Sequence, residues 1–262
     1  MFAKLLKYDF KATWGLLGAL SLIALGAGAM GSGVVRLLNG EPEGFYMAML
    51  IIAMIAVVFY LVGYSLAAMF LLLGRFYKSR FTDEGYMTFT LPVNNHQILL
   101  SSFVNCTLGL IVCMLVTAVS FAILVFFGEE SLDGQRWEFV KNCFDYLPGL
   151  LKEIGGGNVL MFLLMLLAGF ISEVMTIMLA ITLGAIIAKK HKILTGVVAY
   201  YGLHTLITVV GVSILSSRLL DQVMNQAEFI GFTCWAIAGY AVVALGCYFV
   251  MYYLTSRKLN LN

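Results

Sequence analysis

One acidic residue lies inside a long apolar stretch of the chain and is the first candidate for chemistry. Glu173 stands in the run LLAGFISEVMTIM, which contains no basic residue. An unpaired carboxylate in hydrocarbon costs at least about 2.5 kcal/mol, so it should face a cavity, a partner subunit or a polar side chain. Two interpretations stay open. Glu173 lines a substrate path or a dimer seam, or it is a protonated or hydrogen-bonded structural carboxyl, for instance beside Ser172 or Thr176.

Other polar side chains also interrupt the apolar stretches. Asn105 stands in one of them, and His204 stands with Thr205 and Thr208 in another. Each such residue, taken alone, is more often a satisfied contact between helices than a functional group. The candidates for a substrate path or a dimer seam are Glu173, Asn105, Thr176 and His204.

No catalytic or metal-binding pattern accompanies these residues. The histidines His96, His191 and His204 are scattered along the chain, and the five cysteines include no CxxC pair. A metal site needs clustered ligands, and an enzyme needs a nucleophile and a base at one depth. The chain also lacks the GxxxxGK[ST] loop that binds ATP phosphates. We therefore predict no catalytic residue, no metal and no cofactor on this chain, so that any ATP is bound by another protein.

The segment RFYKSRFTDEGYMTFTLPVNNHQILLSS, from Arg75 to Ser102, combines charges of both signs with several aromatic residues. Aromatic residues and arginine dominate protein–protein contacts, so we expect a short exposed helix here that docks into a groove on a partner. The alternative is a solvated loop whose charges only fix the membrane topology. The residues predicted to make this coupling contact are Tyr77, Lys78, Arg80, Phe81, Asp83, Glu84 and Tyr86.

Within this segment, residues 82–102 resemble the cytoplasmic loop of ABC-2-type transporter permeases. In that family an acidic residue and a glycine precede a threonine- and leucine-rich stretch. A T-x-P-V or T-L-P-V turn follows, and a polar run leads into the next helix. The run DEGYMTFTLPV has the same order, and Gln97–Leu100 continue into the next apolar stretch. One departure is Ser101-Ser102, where the family usually has Gly-Lys.

The resemblance implies a half-transporter in the bacterial cell membrane. Two such permease subunits, identical or merely similar, would pair with two cytoplasmic ABC ATPases that bind ATP and magnesium. A helix in the loop between the second and third spans would be the coupling helix that receives the ATPase motion. The family allows peptides, bacteriocins, toxins, antibiotics or lipids as substrates. We expect export of hydrophobic or amphipathic peptides.

Long apolar runs must position all of these residues. The chain is 61% hydrophobic and only 11% charged, whereas a soluble domain is about 25% charged. Runs of about 18 or more apolar residues predict membrane helices, because lipid forces each span to satisfy its own backbone. We predict an all-α polytopic membrane protein that forms one transmembrane domain over residues 1–262. The predicted spans are 14–35, 45–73, 98–127, 159–188, 193–215 and 229–254.

Basic residues are divided unevenly between the two sides of the membrane. Of the 16 Lys and Arg, 11 fall on the side that holds both termini, the coupling loop 75–97 and the turn 189–192, and 5 fall on the other side. The positive-inside rule therefore places both termini in the cytoplasm. The net charge is only +2, and it gives no reason to expect a nucleic-acid partner.

Segments between the spans are predicted to lie against the membrane. Residues 1–13 place apolar side chains on one helical face and lysines on the other, which favours an interfacial helix among anionic lipids over a plain basic N-terminus. In the extracellular loop 128–158, apolar residues recur at helical spacing. This pattern favours a helix on the outer surface over a lid for substrate release. Residues 216–228 predict a further short amphipathic helix.

Two other classes of protein remain to be weighed. An ion-coupled secondary transporter usually shows internal repeats, helices broken by proline and several intramembrane charges. The whole chain has only 3 prolines, and its predicted spans contain one carboxylate. A membrane enzyme would require clustered reactive groups, which the scattered histidines do not provide. The ABC permease is therefore the leading prediction, and the ion-coupled transporter is the alternative.

Overall fold

The part of the chain that the computed structural model describes contains six long helices and no strand. The helices are α1 (Phe2–Asn39), α2 (Gly44–Phe81), α3 (Asn95–Gly128), α4 (Gly156–Ile187), α5 (Lys192–Leu219) and α6 (Gln226–Arg257). The described residues are 2–40, 43–82, 84–85, 94–128, 138, 141–142, 145–146, 148–149, 155–188, 191–219 and 226–257, without the side chains of 214–219, 226–229 and 257.

All six helices are long and apolar enough to cross a membrane. A span needs about 20 apolar residues, and the candidate segments have between 22 and 38 residues. The prediction of an all-α polytopic membrane protein is confirmed at this level. Each predicted span lies within one helix, except that the fourth was predicted to end one residue later than α4.

Two helices extend well beyond the spans predicted in them. The helix α1 runs without interruption through both the predicted interfacial segment 1–13 and the first span, so no break separates the two. Along its first turns Lys4 and Lys7 are exposed, whereas Leu5 and Leu6 are half-buried, as the amphipathic pattern requires. The placement of this segment at the lipid surface stays a prediction. The helix α2 continues to Phe81, past the predicted end of its span at residue 73.

The chain divides into two compact units. The first consists of Ala3–Arg75 and Val104–Pro148, and therefore holds most of α1, α2 and α3. The second consists of Met1–Phe2, Phe76–Phe103 and Gly149–Asn262, so it joins the end of α2 and the start of α3 with α4, α5 and α6. Apart from Arg75, the predicted coupling loop 75–97 thus falls within the second unit.

In the first unit, small and hydroxyl-bearing residues allow α1 to pack closely on its neighbours. The hydroxyls of Ser21 and Tyr64 are 2.8 Å apart and form a buried hydrogen bond between α1 and α2. At Gly28 a Cβ atom would lie 2.6 Å from the carbonyl oxygen of Ser120. Only glycine allows the backbones of α1 and α3 to come this close, as is usual for helices packed within lipid.

In the second unit, α4 packs against both α5 and α6. A tight connection joins α4 to α5, since α4 ends at Ile187 and α5 begins at Lys192. Next to this connection a Cβ atom on Gly184 would lie 2.6 Å from the Cα atom of Gly196, so the two helices nearly touch. The close approach fixes which residues of α4 and α5 lie opposite each other, and it therefore determines which polar side chains meet between these helices.

Several predicted features lie wholly or largely outside the described residues. They are Asp83, Tyr86 and the family-like run 86–93, most of the loop 128–158, the lysines Lys189 and Lys190, and residues 220–225.

Candidate functional site

A polar cluster lies between α4 and α5, midway along both helices. Tyr200 donates a hydrogen bond from its hydroxyl to Oε1 of Glu173 at 2.5 Å. The Nδ1 atom of His204 lies 3.5 Å from Oε2 of the same carboxylate. The rings of Tyr200 and His204 stack with centroids 5.6 Å apart. We call these three residues the Glu173 cluster.

The helices explain why these three side chains meet. Tyr200 and His204 are four residues apart on α5, so they share one face of that helix. Glu173 is 14 residues from the end of α4 at Ile187, and His204 is 12 residues from the start of α5 at Lys192. Because the connection between the helices is short, residues at similar distances from it lie opposite each other.

The cluster is polar but not sealed inside the protein. The side chain of Glu173 is 39% exposed, and that of His204 is 47% exposed, although both lie in membrane-spanning helices. One carboxylate oxygen accepts a hydrogen bond from Tyr200, and the other lies beside the imidazole of His204. The Glu173 carboxylate can therefore carry a negative charge, take up a proton, or bind a cation.

The other two residues predicted for a substrate path do not join this cluster. Thr176 is buried on the side of α4 that faces α6, where its hydroxyl donates to the carbonyl oxygen of Ser172 and lies 3.9 Å from Sγ of Cys247. Asn105 is buried in the first unit, where its Oδ1 accepts a hydrogen bond of 3.3 Å from the hydroxyl of Thr13. Each of these side chains has a polar contact within the part of the chain that the structure describes, and their predicted role in a substrate path or dimer seam stays a prediction.

The partners of Glu173 also differ from those suggested by the sequence. Ser172 and Thr176 were the neighbours considered, but both are buried, and the hydroxyl of Thr176 donates to the carbonyl oxygen of Ser172. The observed partners come from α5. Sequence reasoning singled out His204 and missed Tyr200, although the four-residue spacing of these two side chains was a usable signal.

A second polar site holds the end of α2 to the start of α3. The guanidinium of Arg80 is 2% exposed. Its Nη2 atom donates to Oγ of Ser102 at 2.6 Å and to the carbonyl oxygen of Ile98 at 3.1 Å, and lies 3.5 Å from Oγ of Ser101. Its Nε atom also donates to Oγ of Ser102 at 3.1 Å. We call these four residues the Arg80 site.

The aromatic residues before the loop pack on one another within the chain. Phe81 is only 8% exposed. Its ring centroid lies 5.8 Å from that of Phe76 and 6.0 Å from that of Tyr77. The structure places the side chains of both Arg80 and Phe81 in the packing of this chain. The contact with a partner that was predicted for them stays a prediction. Their observed contacts fix the helix end from which the loop begins.

The exposed members of the predicted coupling contact form an ion pair. Nζ of Lys78 lies 3.2 Å from Oε1 of Glu84, and the two side chains are 64% and 43% exposed. A tight turn between them is held by the amide of Gly85, which donates to the carbonyl oxygen of Thr82 at 2.7 Å. A Cβ atom on Gly85 would overlap the carbonyl oxygen of Arg80, so glycine is required there.

A third contact joins the start of α3 to the end of α6. The imidazole of His96 stacks on the ring of Tyr252 with centroids 3.8 Å apart. Its Nδ1 atom lies 2.9 Å from the hydroxyl of Tyr248. Nothing in the sequence pattern connects His96 with Tyr248 and Tyr252, which lie 152 and 156 residues later. Together with the Arg80 site, this contact attaches the first turn of α3 to both α2 and α6.

The chain was compared with protein-family models, curated proteins and solved structures. No family model, curated protein or solved structure matches the chain. Among the described residues, no group of three His, Cys, Asp or Glu is placed to hold a metal ion. The membrane-spanning character therefore rests on the six helices, and the likeness to ABC-2 permeases rests on the loop sequence.

Proposed function

We propose that this chain is the permease subunit of an ATP-driven exporter in a bacterial cell membrane. A separate ABC ATPase binds ATP and magnesium, and a second permease subunit completes the pathway. The exported molecules are hydrophobic or amphipathic, such as peptides, toxins or antimicrobial compounds. Both termini and the loop 75–97 face the cytoplasm, where the ATPase docks.

The observation that carries this proposal is the Arg80 site. An element that converts ATPase movement into rearrangement of the spans must be attached firmly to more than one of them. Arg80 on α2 is hydrogen-bonded to both Ser102 and the carbonyl of Ile98 on α3, and all these groups are buried. A force applied to the loop between these helices would therefore move α2 and α3 together. A loop that only fixed topology would not need a buried arginine at its base.

The docking surface itself is assigned to the exposed residues at the end of α2. Lys78 and Glu84 present charges of both signs to the surface. The resemblance of the loop sequence to ABC-2 permeases implies an ATPase contact in this segment. Phe81 and Arg80 hold this surface in position from within. The predicted contacts by Asp83 and Tyr86 stay part of the proposal.

The first test is an ATPase that copurifies with the chain. A neighbouring gene for a protein with a Walker A motif supplies the candidate, and the two are expressed together. Glu84→Lys should reduce copurification of the ATPase at least severalfold, since it reverses a charge on the docking surface. An exposed ion pair contributes only about 0–1 kcal/mol, so the fold should survive.

The control is Lys11→Glu, which reverses an exposed charge on α1, outside the segment 75–102. We expect this variant to copurify like the wild type. Full ATPase binding and full ATP-dependent transport in the Glu84→Lys variant would remove this surface from the coupling contact. Absence of any ATP-dependent transport with the candidate ATPase would remove the exporter proposal.

A second candidate function is an ion-coupled secondary transporter, which the Glu173 cluster favours. A carboxylate paired with a histidine inside the spans is a chemically suitable site for a coupling proton. Transport in proteoliposomes separates the two proposals. Uptake or release driven by a pH gradient without ATP supports the secondary transporter, whereas a requirement for the ATPase and ATP supports the exporter.

A further inference from the structure

The Glu173 cluster lies at hydrocarbon depth. Glu173 is 17 residues from the start of α4 and 14 from its end, which corresponds to about 26 Å and 21 Å of helix. The hydrocarbon layer is about 30 Å thick, so a carboxylate this far from both helix ends lies deep within it. A negative charge at this depth needs a compensating positive charge or a proton.

The membrane-spanning parts of the helices around the cluster supply no permanent positive charge. The helix α4 packs against α5 and α6, and neither Lys nor Arg occurs in 156–187, 193–213 or 230–256. The side chain in these helices that can become positive beside Glu173 is His204. Its Nδ1 atom is 3.5 Å from Oε2, which is longer than the usual 2.7–3.2 Å of an N–H···O hydrogen bond. Oε2 of Glu173 is therefore able to form a shorter and stronger contact with a cationic group.

Two aromatic rings lie beside this carboxylate, and a third ring is next to them along α5. Tyr200 and His204 stack on each other, and the ring of Tyr201 lies 5.5 Å from that of Tyr200. Tyr201 is 64% exposed and lies three residues before His204, on the same side of α5. A carboxylate beside aromatic rings is the combination that recognises ammonium groups, through charge and through cation–π attraction.

We propose that Glu173, with Tyr200, Tyr201 and His204, binds the ammonium group of an amphipathic cation. The carboxylate supplies the charge, Tyr200 fixes its orientation, and the exposed rings of Tyr201 and His204 contact the ammonium group. The apolar part of the ligand lies along the lipid-facing surface of the spans. That this ligand is an exported substrate rests on the proposed function. That the ligand binds at Glu173 does not depend on the proposed function.

The test is equilibrium binding to the purified chain in phosphatidylcholine nanodiscs, without ATPase or ATP. The probe is radiolabelled dodecyltrimethylammonium, with empty nanodiscs measured to subtract partitioning into lipid. Dodecyldimethylamine N-oxide is the comparison ligand, because it has the same alkyl chain and no net charge at pH 8. We expect saturable binding of the cation and at least about tenfold weaker binding of the N-oxide, or about 1.4 kcal/mol.

Glu173→Gln should weaken binding of the cation by a similar factor and leave binding of the N-oxide unchanged. The matched control is Thr205→Val, which lies beside His204 on α5 and whose hydroxyl bonds to carbonyl oxygens of its own helix. This variant should bind like the wild type. If Glu173→Gln does not fold, the affinities of the wild type for the cation and the N-oxide still test the proposal.

Equal affinity of the wild type for the cation and the N-oxide would overturn the proposal. So would absence of saturable binding, or unchanged cation affinity in a folded Glu173→Gln variant. Because no ATPase is present, these results are independent of the exporter proposal. Selective cation binding by a chain that shows no ATP-dependent transport would retain the ammonium site and reject the exporter.

Discussion

Replacing Ser102 with alanine tests whether the Arg80 site holds α2 and α3 together. The Ser102 hydroxyl accepts from two nitrogens of Arg80, at 2.6 Å and 3.1 Å. Alanine removes the acceptor and leaves the helix propensity nearly unchanged or improved. The buried guanidinium then keeps the carbonyl of Ile98 but loses both hydrogen bonds to Ser102.

The size of the effect follows from burial and charge. A hydrogen bond to a charged group contributes about 1.5–3 kcal/mol, and a buried group left without its partner also bears its desolvation cost. Arg80 is 2% exposed and Ser102 is 4% exposed, so water cannot easily replace the lost contact. We therefore expect Ser102→Ala to lower the free energy of unfolding by about 1.5–3 kcal/mol. This corresponds to at least about a tenfold change in the unfolding equilibrium.

Reversible unfolding in mixed detergent micelles measures this change. Ser120→Ala is the matched control, because Ser120 is a fully buried serine of the same helix whose hydroxyl donates to the carbonyl of Val116. A double-mutant cycle with Arg80→Met isolates the contact from other effects. Equal losses for Ser102→Ala and Ser120→Ala, together with no coupling to Arg80→Met, would refute the role assigned to the Arg80 site.

Two further predictions concern packing and topology. Gly184→Ala should destabilise the chain by about 1–3 kcal/mol in the same unfolding assay, because its Cβ atom would meet the backbone of Gly196, whereas Gly202→Ala has open space and should have little effect. In a cysteine-free background, Gly134→Cys should react with a membrane-impermeant maleimide added outside intact cells, since the basic residues place the loop 128–158 outside. Labelling of that cysteine only from the cytoplasmic side of inverted vesicles would reverse the topology.

The helices were predictable because their cause is contained in the local sequence. Each run is apolar enough that lipid and the backbone's own hydrogen bonds leave helix as the stable state. Helix ends were less predictable, as α1 and α2 show. Apolarity marks only the part of a helix in hydrocarbon, whereas residues 2–13 and 74–81 continue the same helices into polar sequence.

The polar contacts were harder to predict because they depend on the register between helices. Glu173 and His204 were recognised as unusual, but their pairing follows from the close approach of Gly184 and Gly196 at the α4–α5 connection. The serines at 101 and 102 were noted only as a departure from the resembled family. In the structure Ser101 and Ser102 contact Arg80, a residue outside the compared motif. The comparison of motifs therefore could not show what these serines do.

The length of α1 has a mechanical consequence. Its 38 residues make a rod about 57 Å long, nearly twice the thickness of the hydrocarbon layer. Even at the usual tilt of about 20°, more than 20 Å of this rod must project beyond the hydrocarbon. The helix contains no proline and has no break that could serve as a hinge. Displacing its projecting end would therefore tilt the whole rod as a lever, with the bilayer as the fulcrum.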